Sequence, residues 1–98
     1  MEHGAPRHNL AELKRLIREG RYIVTRAAFS GASMLGFSLA DILDTALALE
    51  QRDFYKSMTS YCNHHVWLDV YQPQTSAGPV YLKLTVEENV VIISFKER

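Results

Sequence analysis

Val80-Tyr81-Leu82-Lys83-Leu84-Thr85-Val86, then Glu87-Glu88-Asn89, then Val90-Val91-Ile92-Ile93-Ser94-Phe95 is the stretch on which the fold turns. Both outer runs are rich in β-branched and aromatic residues, which suit a pleated surface, and the polar residues between them are few enough for a hairpin. In the first run Val80, Leu82, Leu84 and Val86 alternate with Tyr81, Lys83 and Thr85. A period of two predicts that the aliphatic set faces a core and the second set the opposite side. The second run is apolar at both parities, which predicts an interior strand covered on both faces.

Upstream of this hairpin, Phe54 to Tyr61 and Val66 to Tyr71 are two more strand-length runs. Cys62 to His65 is short enough for a turn, whereas Gln72 to Pro79, with Pro73, Gly78 and Pro79, reads as a longer loop. Trp67, Asp69 and Tyr71 alternate with Val66, Leu68 and Val70, predicting an aromatic face shared with Tyr81 and Lys83. Before Asp53 the period is that of a helix. Leu10, Leu13, Leu16 and Ile17 form one stripe between a capping Asn9 and Gly20, and Leu39, Ile42, Leu43, Ala46 and Leu47 form another behind Ser38 and Asp41. Helices are therefore expected near residues 9 to 19 and 38 to 49, with a short strand at Tyr22 to Thr25 and a brief helix from Thr25 toward Gly36. Helices first and antiparallel strands after is the α+β signature: N-terminal helices packed on a C-terminal, mainly antiparallel β-sheet.

With 98 residues, 47% of them hydrophobic and 22% charged, the chain is expected to be one domain spanning 1–98, outside the disordered and membrane classes. Eleven basic residues balance eleven acidic ones, but six of the basic residues and only three of the acids precede Ala27, whereas Ala27 to Asp53 holds one base and four acids. The uncharged stretch Ala27 to Ala40 is too short to span a bilayer, and the opening Met-Glu-His-Gly lacks a signal peptide's basic region and apolar run. A cytoplasmic location with no membrane contact is the expectation. Cys62 is the one cysteine, which excludes an internal disulfide and a Cys-based zinc site. His64 and His65 would point to opposite sides if extended, and His3 and His8 fall in an N-terminus expected to fray, so no metal site is expected.

Two features suggest chemistry. Aromatic rings and lysines on one sheet face suit single-stranded RNA, because rings stack on splayed bases and ammonium groups meet phosphate; Tyr and Trp are equally at home in ordinary strand packing. Lys56 shares parity with Phe54, Met58 and Ser60 and so falls on the more apolar face, where a charge is unfavourable unless paired or used. Either its amine is partly desolvated, its pKa pushed down toward acid–base work, or a twist or bulge lets the side chain reach water.

The runs Asp53-Phe54-Tyr55-Lys56-Ser57-Met58-Thr59, Trp67-Leu68-Asp69-Val70-Tyr71-Gln72-Pro73, Val80-Tyr81-Leu82-Lys83 and Val91-Ile92-Ile93-Ser94-Phe95-Lys96-Glu97-Arg98 resemble the motility quorum-sensing regulator (MqsR) toxin family. The resemblance runs end to end and is densest from Asp53 onward. It implies a RelE-like α+β fold and a bacterial type II toxin, a ribosome-independent endoribonuclease cutting mRNA at GC-containing triplets, GCU above all. It further implies a cognate MqsA-like antitoxin with a zinc-binding N-terminal domain and a helix-turn-helix DNA-binding domain. The zinc belongs to that partner, and no cofactor is expected in this chain. By resemblance Lys56 and Tyr81 take the catalytic positions and Tyr55 and Met58 contact substrate; Lys83, on the same sheet face as Tyr81, and Lys96 are expected beside them as RNA contacts. Leu68 stands where the family carries a glutamine, and Gln72 where it carries a more basic residue.

Overall fold

The computed structural model describes residues 2–98, and local sequence explains each helix boundary. Helix α1 (Leu10–Arg18) begins where the Asn9 side chain accepts the Glu12 N–H at 2.9 Å, and its Leu10, Leu13, Leu16 and Ile17 are all buried. Gly20 (φ 79°) takes the left-handed conformation that only glycine adopts without penalty. That reversal feeds strand β2 (Tyr22–Val24). Thr25 then does two jobs: its hydroxyl accepts the Ala28 N–H, capping α2 (Arg26–Met34), and donates to the Ile93 carbonyl at 2.7 Å. Helix α3 (Leu39–Leu47) starts in a capping box between Ser38 and Asp41 and buries Ile42 and Ala46, while Leu39 stays exposed.

After a 3₁₀ turn at Gln51–Asp53 the chain is strand: β3 (Phe54–Thr59), β4 (Trp67–Tyr71), β5 (Gln74–Thr75), β6 (Gly78–Val86) and β7 (Val90–Glu97). With β1 (Glu2–His3) the spatial order is β1-β3-β4-β6-β7-β2, and β5 pairs with β6. Neighbours are antiparallel except β2 and β7, which run parallel. The helices pack on one face, and the core joins Leu13, Leu16, Ala28, Ala32, Ile42 and Ala46 to Tyr71, Val80, Leu82, Leu84, Val90, Ile92 and Phe95. Helix α2 sits so close to β7 that a Cβ on Gly31 would collide with the Phe95 carbonyl oxygen. The fold is α+β, N-terminal helices on a mainly antiparallel sheet, as the change of period predicts.

Four local expectations give way to tertiary structure. The loop at 72 to 79 contains β5, whose Gln74 and Thr75 oppose Pro79 and Gly78. The N-terminus does not fray as expected: Glu2 and His3 pair with Met58 and Ser57, and His8 is held further in. The doubly apolar run of β7 does not mean cover on both faces. Lys83 opposes Ser94 while Leu84 opposes Ile92, so Ile93 is an extra residue, and the inward parity switches from Val90 and Ile92 to Phe95. Val91 and Ile93 remain half-exposed. Finally, register removes most of the expected aromatic face. Tyr71 opposes Leu82 and Asp69 opposes Leu84, so Trp67, Asp69 and Tyr71 share the helix-covered side, and Leu68 and Val70 take the other.

Candidate functional site

The site begins with a break in a ladder. Phe54 opposes Tyr71, yet Lys56 opposes Val70, leaving Tyr55 as an extra residue on β3. Strand alternation alone would place Phe54 and Lys56 on one face. The bulge instead lets Phe54 pack edge-on against Tyr71 in the core, ring centroids 5.6 Å apart, while Lys56 and Met58 emerge on the face without helices. Of the two readings of Lys56, the structure selects the bulge, a common device for re-aiming a side chain.

Across that open face the register builds a row: Lys56 on β3, Val70 on β4, Lys83 on β6 and Ser94 on β7. Strands stand about 4.8 Å apart, so Lys56 and Lys83 flank Val70 at two such steps, about 10 Å. Two residue pairs along, Tyr81 opposes Lys96. The ring of Tyr55 lies 6.3 Å from that of Tyr81, and Lys56 Nζ lies 5.3 Å from the Tyr55 ring centre. Val70 and Leu68 are buried, at 4% and 8% exposure, yet do not belong to the helix-side core. They form an apolar floor beneath the lysine and methionine stems, because long charged side chains cover apolar surface with their methylenes.

Five of the six residues singled out from sequence therefore converge: Tyr55, Lys56, Tyr81, Lys83 and Lys96. Met58 stands two pairs further along the ladder, opposite Leu68. Lys83 is half-buried, and its ammonium is held below the usual lysine pKa, first by burial, then by repulsion from Lys96 and Lys56. Three cations and two phenols on one surface attract a polyanion and offer both charge and proton exchange. By contrast, a cleft of about 820 Å³ lined by Asp41, Asp44, Glu50, Asp53 and Arg52 includes none of the six and carries the wrong sign for phosphate.

Sequence reading missed the group that ties the N-terminal segment to the sheet. Asp69 is fully buried and accepts the Arg7 N–H (3.0 and 3.1 Å) and the His8 N–H (3.0 Å). His8 Nε2 lies 3.1 Å from the Trp67 carbonyl and 3.3 Å from the Thr85 hydroxyl, and the Arg7 guanidinium stacks 4.2 Å from the Trp67 ring centre. The N-terminal segment is thereby fastened across β4 and β6. The signal was present: a carboxylate inside the apolar run from Trp67 to Tyr71 must be paired if it is buried.

Comparison with known proteins adds to this geometry. The chain matches the family model "Motility quorum-sensing regulator, toxin of MqsA" over residues 5–97. It is 42% identical over 98 residues to "mRNA interferase toxin MqsR" of Escherichia coli (strain K12), covering 100% of both chains.

Proposed function

The chain belongs to the motility quorum-sensing regulator family of toxins, and from that premise we propose that it is the toxin of a type II toxin–antitoxin pair, an endoribonuclease that cleaves mRNA in the cytoplasm. The proposal extends to ribosome-independent cutting at GC-containing triplets, GCU preferred, by attack of the RNA's own 2′-hydroxyl without a metal ion. The gathering of Lys56, Tyr81, Tyr55, Lys83 and Lys96 on one open sheet face carries the reading.

In such a reaction the 2′-oxygen attacks phosphorus, a pentacoordinate phosphorane gathers negative charge, and the 5′-oxygen leaves. Charge that develops only in the transition state is best met by fixed cations. Lys56 is assigned to the phosphorane oxygens, and the Tyr81 hydroxyl donates to the departing 5′-oxygen. The half-exposed Tyr55 ring offers a stacking platform for a base, Met58 a soft apolar contact, and Lys83 and Lys96 the phosphate attraction that holds the strand. Each role falls to a side chain on rigid strand rather than loop, which favours positioning.

A second reading rests on Leu68. Its side chain can neither donate nor accept a hydrogen bond where the family resemblance expects an amide, which favours a weak or inactive module that still binds RNA and antitoxin. Incubation of purified chain with an RNA containing a single GCU, in EDTA, separates the two. Cleavage at that triplet supports the nuclease, and an intact RNA supports the module. For the partner, a cognate MqsA-like antitoxin with zinc-binding and helix-turn-helix domains is proposed, to be tested by copurification of the coexpressed pair.

A further inference from the structure

Lys83 occupies a position unlike that of the other two lysines. It has a ladder partner on each side, Val70 of β4 and Ser94 of β7, neither of which carries charge, whereas the register pairs Lys56 across the sheet with Val70 and Lys96 with Tyr81. The charged groups that act on it are cations from both flanks: Lys56 from β3, across Val70, and Lys96 from β7. On its own strand Tyr81 stands two residues away on the same face, beside the Tyr55 ring. The amine is thus central, with a phenol and two cations around it and an apolar floor at Val70.

Resting on the nuclease reading above, we propose that Lys83 is the general base of the reaction, the group that takes the proton from the attacking 2′-hydroxyl. A base has to be unprotonated before the step, and a lysine crowded by like charge and partly withdrawn from water gives up its proton more readily than a free one. Burial and the two neighbouring cations lower the Lys83 pKa in that direction. On this proposal phosphate attraction falls to Lys56 and Lys96 rather than to Lys83, and the same two cations favour the unprotonated form of Lys83.

The step balances without an external reagent. The neutral Lys83 amine accepts the 2′-hydroxyl proton as the 2′-oxygen bonds to phosphorus. The bond from phosphorus to the 5′-oxygen breaks, and that oxygen takes the Tyr81 hydroxyl proton. The products are a 2′,3′-cyclic phosphate and a 5′-hydroxyl, with Lys83 as ammonium and Tyr81 as phenolate, and proton return through solvent restores both.

The test is single-turnover cleavage of the GCU-containing RNA as a function of pH, with RNA affinity measured separately. Lys83→Arg keeps the positive charge but supplies a group that does not deprotonate, so the rate should fall by ~10²-fold or more while affinity is maintained, and the rising limb of the pH profile should vanish. Lys96→Gln removes one repelling cation, which raises the Lys83 pKa, so the rising limb should move to higher pH. A Lys83→Arg variant that cleaves at the wild-type rate overturns the proposal, since a phosphate contact alone survives this exchange. NMR titration of the lysine side chains in the intact chain gives a readout free of catalysis. The earliest-titrating lysine should be absent from Lys83→Arg, and an ordinary titration of Lys83 also overturns the proposal. Failure of the wild type to cleave any RNA overturns the nuclease reading and this one together, whereas full activity in Lys83→Arg overturns this one alone.

Discussion

Phe54 and Lys56 are two residues apart on one strand and point to opposite faces of the sheet, because the ladder with β4 shifts register between them. Phe54 meets Tyr71 in the core, and Lys56 stands over the open face beside Tyr55. One extra backbone residue therefore converts an apolar-parity lysine into a member of a cationic surface, and it places the Tyr55 ring against Tyr81.

Lys56→Ala and Tyr81→Phe should each reduce cleavage of a GCU-containing RNA by ~10²–10³-fold, the usual loss when one fixed electrostatic contact to the transition state is removed. Both side chains are only half-buried, so stability should change by less than about 1 kcal/mol. Cleavage rate set beside thermal midpoint separates the two effects. Wild-type activity in the double variant would sink the assignment of both residues.

Leu68→Gln should return a hydrogen-bonding amide to the open face beside Met58 and raise the cleavage rate. Leu68 is 8% exposed, so the polar group should also destabilise the fold by about 1–2 kcal/mol. A rate equal to or below wild type would mean that the site works with an apolar floor at this position.

Asp69→Ala should destabilise the protein by roughly 2–3 kcal/mol, because it strips the acceptor from the Arg7 and His8 N–H groups. The damage should be local first. Amide hydrogen exchange ought to accelerate at Arg7 and His8 before it does so in α1. Unchanged exchange there would show that β1 and the Trp67 contacts hold the segment unaided.

Tyr71→Phe should stabilise the protein slightly and flatten its alkaline denaturation. The Tyr71 hydroxyl is buried and has no hydrogen-bond partner among the described residues, so removing it relieves a desolvated polar atom. Burial, with Asp69 and Asp53 nearby, raises its pKa from 10.0 to about 12. The unfolded chain releases this proton first, so the contribution to stability is intact below pH 10.0, declines above it and is gone once pH passes about 12. Denaturant midpoints for both proteins between pH 9 and the alkaline limit check the sign, which fails if the variant loses stability as steeply as wild type.

Much of this molecule is legible one segment at a time. Asn9, Thr25 and Ser38 cap the helices because a short side-chain oxygen satisfies N–H groups only a few residues ahead, a relation contained within one turn. The alternation of Val80, Leu82 and Leu84 with Tyr81 and Lys83 names the faces of β6 because the strand keeps one parity from Val80 to Leu84, breaking only at Thr85, which is buried. Tyr81 and Lys83 could thus be chosen from sequence, and they stand where that alternation puts them.

What the sequence by itself determined is the three helices, the longer strands and their order, and the inward side of β6, since propensity, capping and periodicity act between near neighbours. Tertiary structure alone decided which residues face one another across the sheet. Register depends on pairing between segments far apart in the chain, and one extra residue reverses every side chain beyond it. The bulge at Tyr55 brought Lys56 out, the extra residue at Ile93 turned Phe95 inward, and the pairing of β4 with β6 buried Tyr71 while opening the floor at Val70. For the same reason the tie between Asp69 and His8, 61 residues apart, exists only once the sheet has assembled.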